Sequence, residues 1–432
     1  MQNWVKSAMT ALADACAGDS PAIEFTSAAS GLAPGWALRH DIPVNGVSRT
    51  GDAEDTGIST AEDRRAAVVV RTSGSTGTPK QTLLSAAALR ASAQMTGERL
   101  GGHGQWLLTL QPSYVAGLAV LSRSLEAGTV PRVLLEHTTD PDCFAAAAEQ
   151  LTHRRRYVSL VPTQLERLLS AGESGHSRSA RALRRFDAVL LGGAASDASL
   201  LSRAAEAGIT VVRTYGMSET AGGCVYDGRP LPGVTIGIGP DSRVQLSGPM
   251  TALGYWGDPQ RTADHFDRDP RTGLPRFTTE DMGELLPTSS GDQPILRITG
   301  RLDDVINTGG VKVSAEAGRE RLIEHPGVAE AFVGSVPDPV WGERICAAVV
   351  LRDSAAAEQG GRPWQLRLAE HVRARLGAAA VPKLVIVLPE LLRLPSGKPH
   401  RTAMRELFLT AQHQTDQHYP GEGDPWPPLS NG

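Results

Sequence analysis

Residues 66–80 read AAVVVRTSGSTGTPK, and this stretch decides which class of fold we expect. Residues 66–70 are short, apolar and rich in valine, which is typical of a buried strand. The residues that follow are mostly glycine, serine and threonine and end at Pro79, so they predict a loop. Residues 85–100 have helical character. A strand, a small-residue loop and a helix in this order predict one unit of an α/β fold.

The loop has the composition of an anion-binding site. Glycines allow the backbone to approach a ligand closely, and consecutive N–H groups and hydroxyls then surround a negative charge. The spacing differs from that of a Walker A loop, which needs glycine, four residues, glycine and lysine. A flexible linker is the alternative. The predicted phosphate-binding residues are Thr72, Ser73, Gly74, Ser75, Thr76, Gly77 and Lys80.

The alternation of strands and helices continues to residue 214. An amphipathic helix is also expected over residues 1–18, with a signal peptide as the alternative. Regular alternation indicates a parallel sheet with helices on both faces. Strands are predicted at 106–110, 132–135, 157–161, 188–191 and 210–214, and helices at 117–127, 142–153, 163–171 and 198–207.

The composition changes beyond residue 222, and this predicts the domain organisation. We expect a large N-terminal α/β domain at 1–300, which includes a β-rich subdomain at 222–300, followed by a small α+β domain at 301–410. Residues 411–432 are rich in proline and poor in aliphatic side chains. A disordered tail is therefore expected there.

The overall composition excludes several classes of function. The chain has 432 residues, a formal net charge of -4 and 41% hydrophobic residues, which is normal for a soluble globular protein. The small negative charge argues against nucleic-acid binding, and there is no apolar run of about 18 residues to predict a membrane span. The four cysteines are far apart. Neither a zinc site nor a disulfide framework is expected, and reduced thiols predict a cytoplasmic protein.

A second motif, YGMSET at residues 215–220, follows the predicted strand 210–214. Open α/β sheets bind ligands at the carboxyl ends of their strands, which places this motif at a binding edge. Tyr215 can stack on a purine, Ser218 offers a hydroxyl to phosphate, and Glu219 is a hard oxygen ligand for Mg²⁺. An ordinary turn is the alternative.

Two further motifs lie in the second half of the chain. Asp281, at the end of FTTED, can accept hydrogen bonds from both ribose hydroxyls, and Arg301, in ITGR, can donate to ribose or phosphate. The motif PSGKPHR at 395–401 holds Lys398 out on a turn framed by glycine and proline. The alternative for each residue is a place on the solvated surface.

In this order and combination, the four motifs resemble the adenylate-forming superfamily of acyl-CoA synthetases, luciferases and peptide-synthetase adenylation domains, over residues 60–405. The resemblance implies an ATP-dependent enzyme that converts a carboxylic acid into an acyl-adenylate and then into an acyl-CoA thioester. ATP, Mg²⁺ and coenzyme A are the implied cofactors and co-substrates. It also implies that the small C-terminal domain is mobile and that residues 308–312 and 338–343 form the face used for thioester formation.

The same resemblance assigns roles to single residues. Lys398 reaches the α-phosphate and the attacking carboxylate, and Ser218 and Glu219 complete the catalytic set, with Glu219 as the metal ligand. Asp303 lies at the hinge between the domains. Besides the phosphate loop, the implied nucleotide- and CoA-binding residues are Gly193, Tyr215, Gly216, Asp281, Arg301, Gly309, Gly310 and Lys312.

The chain departs from the usual pattern of the superfamily at three positions. Gln81 and Glu280 stand where glycine is usual, and Ser218 stands where threonine is usual. None of these departures removes a group that the chemistry requires.

Three stretches, 112–125, 215–228 and 308–313, are similar to the o-succinylbenzoate–CoA ligases of menaquinone biosynthesis. This similarity implies o-succinylbenzoate as the acid and o-succinylbenzoyl-CoA as the product. Arg123 lies two helical turns beyond Ala116 on the same face and would approach an anionic aromatic acid, with an arginine on the helix surface as the alternative. The implied substrate-binding residues are Tyr114, Gly117 and Arg123.

Other functions remain open at this point. They are a ligase for another aryl acid or a fatty acid, a stand-alone adenylation enzyme that loads a carrier protein, and a nucleotide-binding regulatory protein. Retention of Lys80, Glu219, Asp281, Arg301 and Lys398 argues against the regulatory protein. The predicted partners are a small carboxylic acid, ATP and CoA, without nucleic acid or a membrane span, and a homodimer is left open.

Overall fold

The computed structural model describes residues 1–27, 33–43, 64–72, 80–175, 177–194, 198–288, 293–352, 364–394 and 399–418. The chain divides into two compact units. The first unit consists of Met1–Gly239, Val244–Thr279 and Leu285–Arg297, and the second consists of Pro240–Arg243, Glu280–Glu284 and Ile298–Gly432. Over the described residues, no helix has both the length and the apolar character needed to cross a membrane.

Helices occur in both units. The predicted N-terminal helix is confirmed, and its buried side chains Val5, Ala8, Leu12 and Ala15 recur at helical spacing. Short 3-10 turns lie at Ser218–Thr220, Leu302–Asp304 and Ala378–Ala380. The α-helices are α1 Gln2–Ala17, α2 Ala86–Arg99, α3 Val115–Glu126, α4 Pro141–Glu149, α5 Pro162–Glu173, α6 Ser177–Leu183, α7 Ala198–Glu206, α8 Pro259–His265, α9 Ala315–Ile323, α10 Trp364–Leu376 and α11 Arg401–His418.

The strands are short, and most of them have the alternating or fully buried patterns of sheet strands. They are β1 Ala22–Thr26, β2 Gly35–Arg39, β3 Ala66–Thr72, β4 Lys80–Ser85, β5 Gln105–Leu108, β6 Arg132–Val133, β7 Arg156–Leu160, β8 Ala188–Leu191, β9 Val211–Met217, β10 Gly222–Tyr226, β11 Arg229–Pro230, β12 Thr235–Ile238, β13 Arg243–Ser247, β14 Gly254–Tyr255, β15 Phe266–Arg268, β16 Pro275–Leu286, β17 Ile295–Arg301, β18 Val305–Thr308, β19 Val311–Ser314, β20 Val328–Asp338, β21 Gly342–Leu351 and β22 Leu384–Val387.

The predicted strand–loop–helix unit is wrong in one respect. Residues Lys80–Ser85 form strand β4, which pairs antiparallel with β3, so the phosphate-loop segment joins two strands instead of a strand and a helix. The strand is hard to predict because its first three residues are polar and its apolar part is only Leu83 and Leu84. The first sheet has the order β14-β4-β3-β1-β2, with β1 parallel to β3.

The parallel sheet predicted between residues 100 and 214 is confirmed. Its order is β11-β10-β9-β8-β7-β5-β6, and the five strands β5 to β9 pair with one another in parallel. Phe144, Leu165, Leu183 and Leu200, one from each of α4 to α7, pack with strand side chains in one buried cluster. Helices α2 and α3 also contact this sheet. The layered arrangement leaves the carboxyl ends of the parallel strands as a natural binding edge.

The strands expected between residues 222 and 300 are present but join different sheets. Strands β10 and β11 extend the seven-stranded sheet in an antiparallel sense. Strand β14 pairs with β4 in the first sheet, and β12–β13 and β15–β16 are antiparallel pairs. The pairing of β14 with β4 brings residues of this region next to the end of the phosphate-loop segment.

The second unit contains a sheet of order β19-β18-β21-β20, with β22 paired to β21. Side chains of β21 alternate between two buried clusters: Ile345 packs with residues of α9 and α10, whereas Cys346 packs with Met404 and Phe408 of α11. The prediction that a disordered tail begins at residue 411 is wrong, because α11 continues to His418. Gln412 follows Met404 and Phe408 at four-residue spacing and is also buried.

Candidate active site

Several predicted ligand-binding residues lie where neighbouring parallel strands end. Strands β7, β8 and β9 end at Leu160, Leu191 and Met217. Gly193 follows β8 with a φ of 85°, and Ser218 directly follows β9. Because carboxyl ends of parallel strands share one edge of a sheet, these residues lie at the same edge.

Strand β9 is longer than predicted. Tyr215 and Gly216 lie within it, so the interpretation of this segment as residues after the strand is wrong. The strand continues because β10 returns antiparallel beside it, with Gly222 opposite Met217. Position 216 requires glycine here, since a Cβ atom would lie 2.1 Å from the Gly222 carbonyl oxygen. Tyr215 is half-buried at this edge.

The 3-10 turn after β9 contains the two polar groups predicted to face phosphate and metal. Ser218 is 4% exposed and Glu219 is 6% exposed. Thr220 stabilises the turn, since its hydroxyl accepts a hydrogen bond from the Met217 N–H at 3.0 Å. A buried carboxylate such as that of Glu219 is costly unless a donor or a cation satisfies it.

Tyr255 supplies that donor. Its hydroxyl donates to Glu219 Oε1 at 2.7 Å, and the tyrosine is only 5% exposed. Lys80 Nζ lies 5.4 Å from the centroid of the same ring, and Arg261 Cζ lies 5.8 Å from it. Within the first unit, the structure therefore brings the predicted Lys80 and Glu219 to one aromatic side chain.

Sequence patterns do not identify Tyr255. It lies 36 residues from Glu219 along the chain and outside the four motifs recognised in the sequence. The available signal is weak: Tyr255 follows Gly254, whose φ of 141° is a conformation that other residues rarely adopt.

Some predicted site residues cannot be placed. Ser73, Gly74, Ser75, Thr76, Gly77 and Lys398 lie outside the described residues. The two ends of the phosphate-loop segment are described, and Thr72 and Lys80 are cross-strand partners there.

Two residues that depart from the superfamily pattern, Gln81 and Glu280, make polar contacts with arginines. Gln81 Oε1 accepts a hydrogen bond from Arg39 Nη1 at 2.9 Å, and the same nitrogen donates to Glu24 at 2.6 Å. Glu280 lies 3.9 Å from Arg243 Nη1. Both side chains thus take part in polar contacts near predicted ligand-binding residues.

The second unit holds the predicted ribose-binding pair. Arg301 Nη1 donates to Asp281 Oδ1 at 2.7 Å, and Arg301 also donates to both carboxylate oxygens of Asp303 at 2.8 and 3.0 Å. Burial raises the pKa of Asp303, but the hydrogen bonds and charge of Arg301 outweigh burial, so this pKa lies below its ordinary value. Arg401, in the PSGKPHR motif, similarly pairs with Asp304.

The predicted thioester face contains a tight hairpin. Gly309 and Gly310 join β18 to β19 with φ values of 58° and 80°, as a two-residue turn with left-handed residues requires. The Gly309 N–H donates to the Trp341 carbonyl oxygen at 2.8 Å, so the turn contacts the segment 338–343. Lys312 is exposed beside it.

The predicted substrate residues Tyr114 and Gly117 begin helix α3. Tyr114 is the N-cap residue, with an extended backbone. A Cβ atom on Gly117 would lie 2.4 Å from the carbonyl oxygens of both Leu110 and Gln111. Gly117 therefore has a steric reason to be glycine, because the helix packs directly on the backbone that follows β5.

Gly117→Ala should destabilise the protein by about 1–3 kcal/mol, the usual range for overpacking, because two backbone oxygens would have to move. Thermal unfolding of the purified variant measures this effect. Gly318→Ala is the matched control, since a Cβ atom on this helical glycine would make only ordinary contacts of 3.5 Å or more with Val333. Equal melting temperatures for the two variants would contradict the steric explanation.

Arg123 is buried, with 5% of its surface exposed, so the alternative of a helix-surface arginine is wrong. Its Cζ lies 5.0 Å from the Trp106 ring centroid, and its Nη2 donates to the Tyr226 hydroxyl at 3.2 Å. Its Nε has no hydrogen-bond partner, and no carboxylate pairs with the guanidinium within the part of the chain that the structure describes. A Cβ atom on Gly222 would lie 3.9 Å from Nη2. An uncompensated positive charge therefore lies close to the binding edge.

Two family models match this chain. Residues 10–253, more than half of the chain, match the model of the AMP-binding enzyme family, and residues 320–398 match that of the AMP-binding enzyme C-terminal domain. This chain belongs to the AMP-binding enzyme family. The matched ranges contain most of the residues placed above, including Lys80, Tyr215 and Glu219.

Individual relatives of this AMP-binding enzyme include CoA ligases and an amide bond synthetase. A Mycobacterium tuberculosis (strain H37Rv) protein named "Probable 2-succinylbenzoate–CoA ligase" is 40% identical over 347 residues, which cover 80% of this chain and 85% of that protein. The amide bond synthetase McbA from Marinactinospora thermotolerans is 30% identical with a TM-score of 0.64, covering 79% of this chain and 70% of that structure. An o-succinylbenzoate CoA synthetase from Bacillus subtilis, in complex with the acyl-adenylate intermediate OSB-AMP, is 25% identical with a TM-score of 0.62, covering 79% and 69%.

These matches confirm the superfamily resemblance and the α/β fold class predicted from the motifs. The AMP-binding enzyme is a ligase of the AMP-forming class, and ATP is one of its substrates.

Proposed function

We propose that this AMP-binding enzyme is an o-succinylbenzoate–CoA ligase, which forms o-succinylbenzoyl-adenylate from the acid and ATP and then transfers the acyl group to the thiol of CoA. Its relatives' names support this choice of acid. The structural observation that carries it is the buried guanidinium of Arg123.

The acid has two carboxylates, and only the aliphatic one is activated. The aromatic carboxylate must then enter a partly apolar pocket, where a buried charge is costly unless a cation or several donors meet it. Arg123 has an unpartnered Nε, and within the described residues no carboxylate neutralises it. Its guanidinium, assisted by the Tyr226 hydroxyl, would bind this second carboxylate directly or through water.

The first half-reaction needs neutralisation of charge rather than a general base. A carboxylate oxygen forms a bond to the α-phosphorus of ATP, the bond from that phosphorus to the bridging oxygen breaks, and pyrophosphate leaves. Both reactants are anions, so their repulsion must be offset by positive groups held in place. Lys80 and Lys398 have this role in the proposal, and Ser218 donates to phosphate.

Mg²⁺ fits the carboxylate at the end of β9. This ion is usually held by one or two carboxylates, by water and by the phosphates of the substrate. Glu219 provides one such carboxylate, buried and fixed by Tyr255. When bound there, the ion would neutralise charge on the phosphates.

The second half-reaction forms the thioester. The thiol sulfur of CoA bonds to the acyl carbon, the bond from that carbon to the AMP oxygen breaks, AMP leaves with the bonding electrons, and the thiol proton passes to solvent. We propose that a change of conformation at Asp303 removes Lys398 from the site, and that Gly309, Gly310 and Lys312 then guide CoA. Two left-handed glycines at the hairpin tip would let a ligand approach the backbone closely.

The proposed function is tested by supplying ATP, Mg²⁺ and CoA with a panel of acids and measuring the thioester product. o-Succinylbenzoate should react with a much higher kcat/KM than benzoate derivatives that lack the second carboxylate or fatty acids. A preference for another acid, for a carrier-protein thiol or for an amine acceptor would replace the proposal by the corresponding activity.

Arg123→Met should raise the KM for o-succinylbenzoate and leave the KM for ATP nearly unchanged. The expected loss is on the order of 1–3 kcal/mol, the range for leaving a charged partner unsatisfied. Methionine keeps much of the buried volume against Trp106, which limits loss of stability. Steady-state kinetics with an acid that lacks the second carboxylate should show little change. Arg90→Ala, which removes an exposed arginine from helix α2, is the control. Equal losses with both acids would show that Arg123 is only structural.

A further inference from the structure

Tyr255 occupies a central place among the charged groups of the nucleotide site in the first unit. Its hydroxyl donates to Glu219 Oε1 at 2.7 Å, and its ring lies within 6 Å of both Lys80 Nζ and Arg261 Cζ. The side chain thus contacts one anion through its hydroxyl and two cations through its ring.

The position of this ring is closely constrained. His265 meets it edge-on at 6.2 Å and Phe266 at 5.3 Å between centroids. Its backbone N–H donates to Thr262 Oγ1 at 2.9 Å. Thr262 packs so closely on Gly254 that a Cβ atom there would lie 2.5 Å from Thr262 Cγ2. Few movements of Tyr255 are possible without disturbing these contacts.

The side chains that meet at Tyr255 come from three parts of the chain. Lys80 begins β4, and Tyr255 lies opposite Thr82 on the paired strand β14. Side chains two residues apart on a strand share a face, so Lys80, Thr82 and Tyr255 lie on one face of the first sheet. Glu219 comes from the turn that follows β9 of the other sheet. Tyr255 therefore links the two sheets at the site.

We propose that Tyr255 is a positioning residue, which holds the Glu219 carboxylate and the Lys80 ammonium in the geometry that binds magnesium–ATP. This inference rests on the proposed function. Hydrogen bonds to a carboxylate are short and strong when both partners are buried. Because the Tyr255 hydroxyl holds Oε1 of Glu219, the other carboxylate oxygen, Oε2, keeps a fixed orientation in which it can bind a cation. Donation by the hydroxyl to a carboxylate also increases the electron density of the ring, which favours its contact with Lys80.

Two substitutions separate the roles of the hydroxyl and the ring. Tyr255→Phe removes only the hydroxyl. The increase in ATP affinity that Mg²⁺ causes should therefore fall by about tenfold. The affinity for ATP without metal should change by less than about twofold. Tyr255→Leu removes the ring as well and should also weaken metal-free ATP binding by about threefold or more. Calorimetric titration with ATP, with and without Mg²⁺, measures these constants without turnover.

Tyr157→Phe is the matched control. Tyr157 is a buried tyrosine like Tyr255, and its hydroxyl donates to the Leu100 and Gly102 carbonyl oxygens, away from Lys80 and Glu219. This variant should lose thermal stability but keep the magnesium dependence of ATP binding. The same change of magnesium dependence in Tyr157→Phe and Tyr255→Phe would overturn the proposal.

A double-mutant cycle keeps the test decisive if Tyr255→Leu does not fold. Glu219→Gln should also reduce the magnesium effect, and its combination with Tyr255→Phe should be clearly less than additive, because both changes break one interaction. Additive effects, or a Tyr255→Phe variant with wild-type magnesium dependence, would overturn the proposal.

Wild-type protein that binds ATP normally but forms no thioester would instead overturn the proposed function alone. Wild-type protein with no magnesium-dependent ATP binding would overturn both.

Discussion

Replacement of Lys398 by alanine should reduce the rate of acid-dependent pyrophosphate release by on the order of 100-fold or more. This is the usual effect of removing a group that stabilises charge in a transition state. ATP and the carboxylate repel each other, and Lys398 is proposed to neutralise both at the moment of attack. Thioester formation from preformed acyl-adenylate should survive far better, because no second anion approaches the phosphate in that step. Both half-reactions can be measured separately on the same preparation.

Lys6→Ala is the matched control for this lysine. Lys6 is exposed on helix α1 and belongs to none of the motifs, so both half-reactions should keep wild-type rates. If Lys398→Ala slows the two half-reactions equally, the proposal that Lys398 acts only in adenylation is incorrect.

Asp303→Pro should lower the rate of one half-reaction by tenfold or more and leave the other rate largely unchanged. This selectivity is expected if one orientation of the mobile C-terminal domain becomes inaccessible. Asp303 is the middle residue of the 3-10 turn Leu302–Asp304. The φ of proline, near −65°, is compatible with a 3-10 turn, so the substitution should fix this geometry and prevent a hinge from changing φ. Separate rates of adenylation and thioester formation provide the measurement.

Proline also removes the carboxylate that accepts two hydrogen bonds from Arg301. Asp303→Ala is therefore the necessary control, because it loses the same contacts with Arg301 and keeps a flexible φ. A hinge role predicts that the proline variant is selective and the alanine variant is not. Similar behaviour of the two variants would show that only the ion pair matters.

The motifs were sufficient to predict the chemistry and most of the parallel sheet. Alternating strands and helices are local patterns, and Tyr215, Glu219 and Asp281 each lie in a contiguous motif. Superfamily and fold class, which depend on the order of these motifs, are confirmed by the family and structure comparisons.

Local patterns failed where pairing with a distant strand decided the outcome. Strand β4 has a polar first half, and it is a strand because β3 and β14 flank it. The last residues of β9 are extended because β10 returns beside them. Helix α11 extends past residue 411 because Met404 and Phe408 pack on β20 and β21, which continues the helix into a segment of weak apolar character.

The burial of Arg123 likewise depends on contacts that sequence spacing does not contain. Helical periodicity places Arg123 on the face of Ala116, but it does not say whether that face meets solvent, a substrate or another part of the chain. In the folded chain, Trp106 and Tyr226 enclose the guanidinium. This is why an arginine that could have been a surface residue is instead a buried charge.

The order of residues along the chain thus identifies which functional groups this AMP-binding enzyme has, because each motif is contiguous and its chemistry is local. Which groups meet is a different matter. Tyr255 contacts Glu219 across 36 residues and lies near Lys80, which is still more distant in sequence. Such contacts arise when two sheets, each stabilised by its own buried side chains, bring their strand ends together, and no spacing rule within a single segment predicts that meeting.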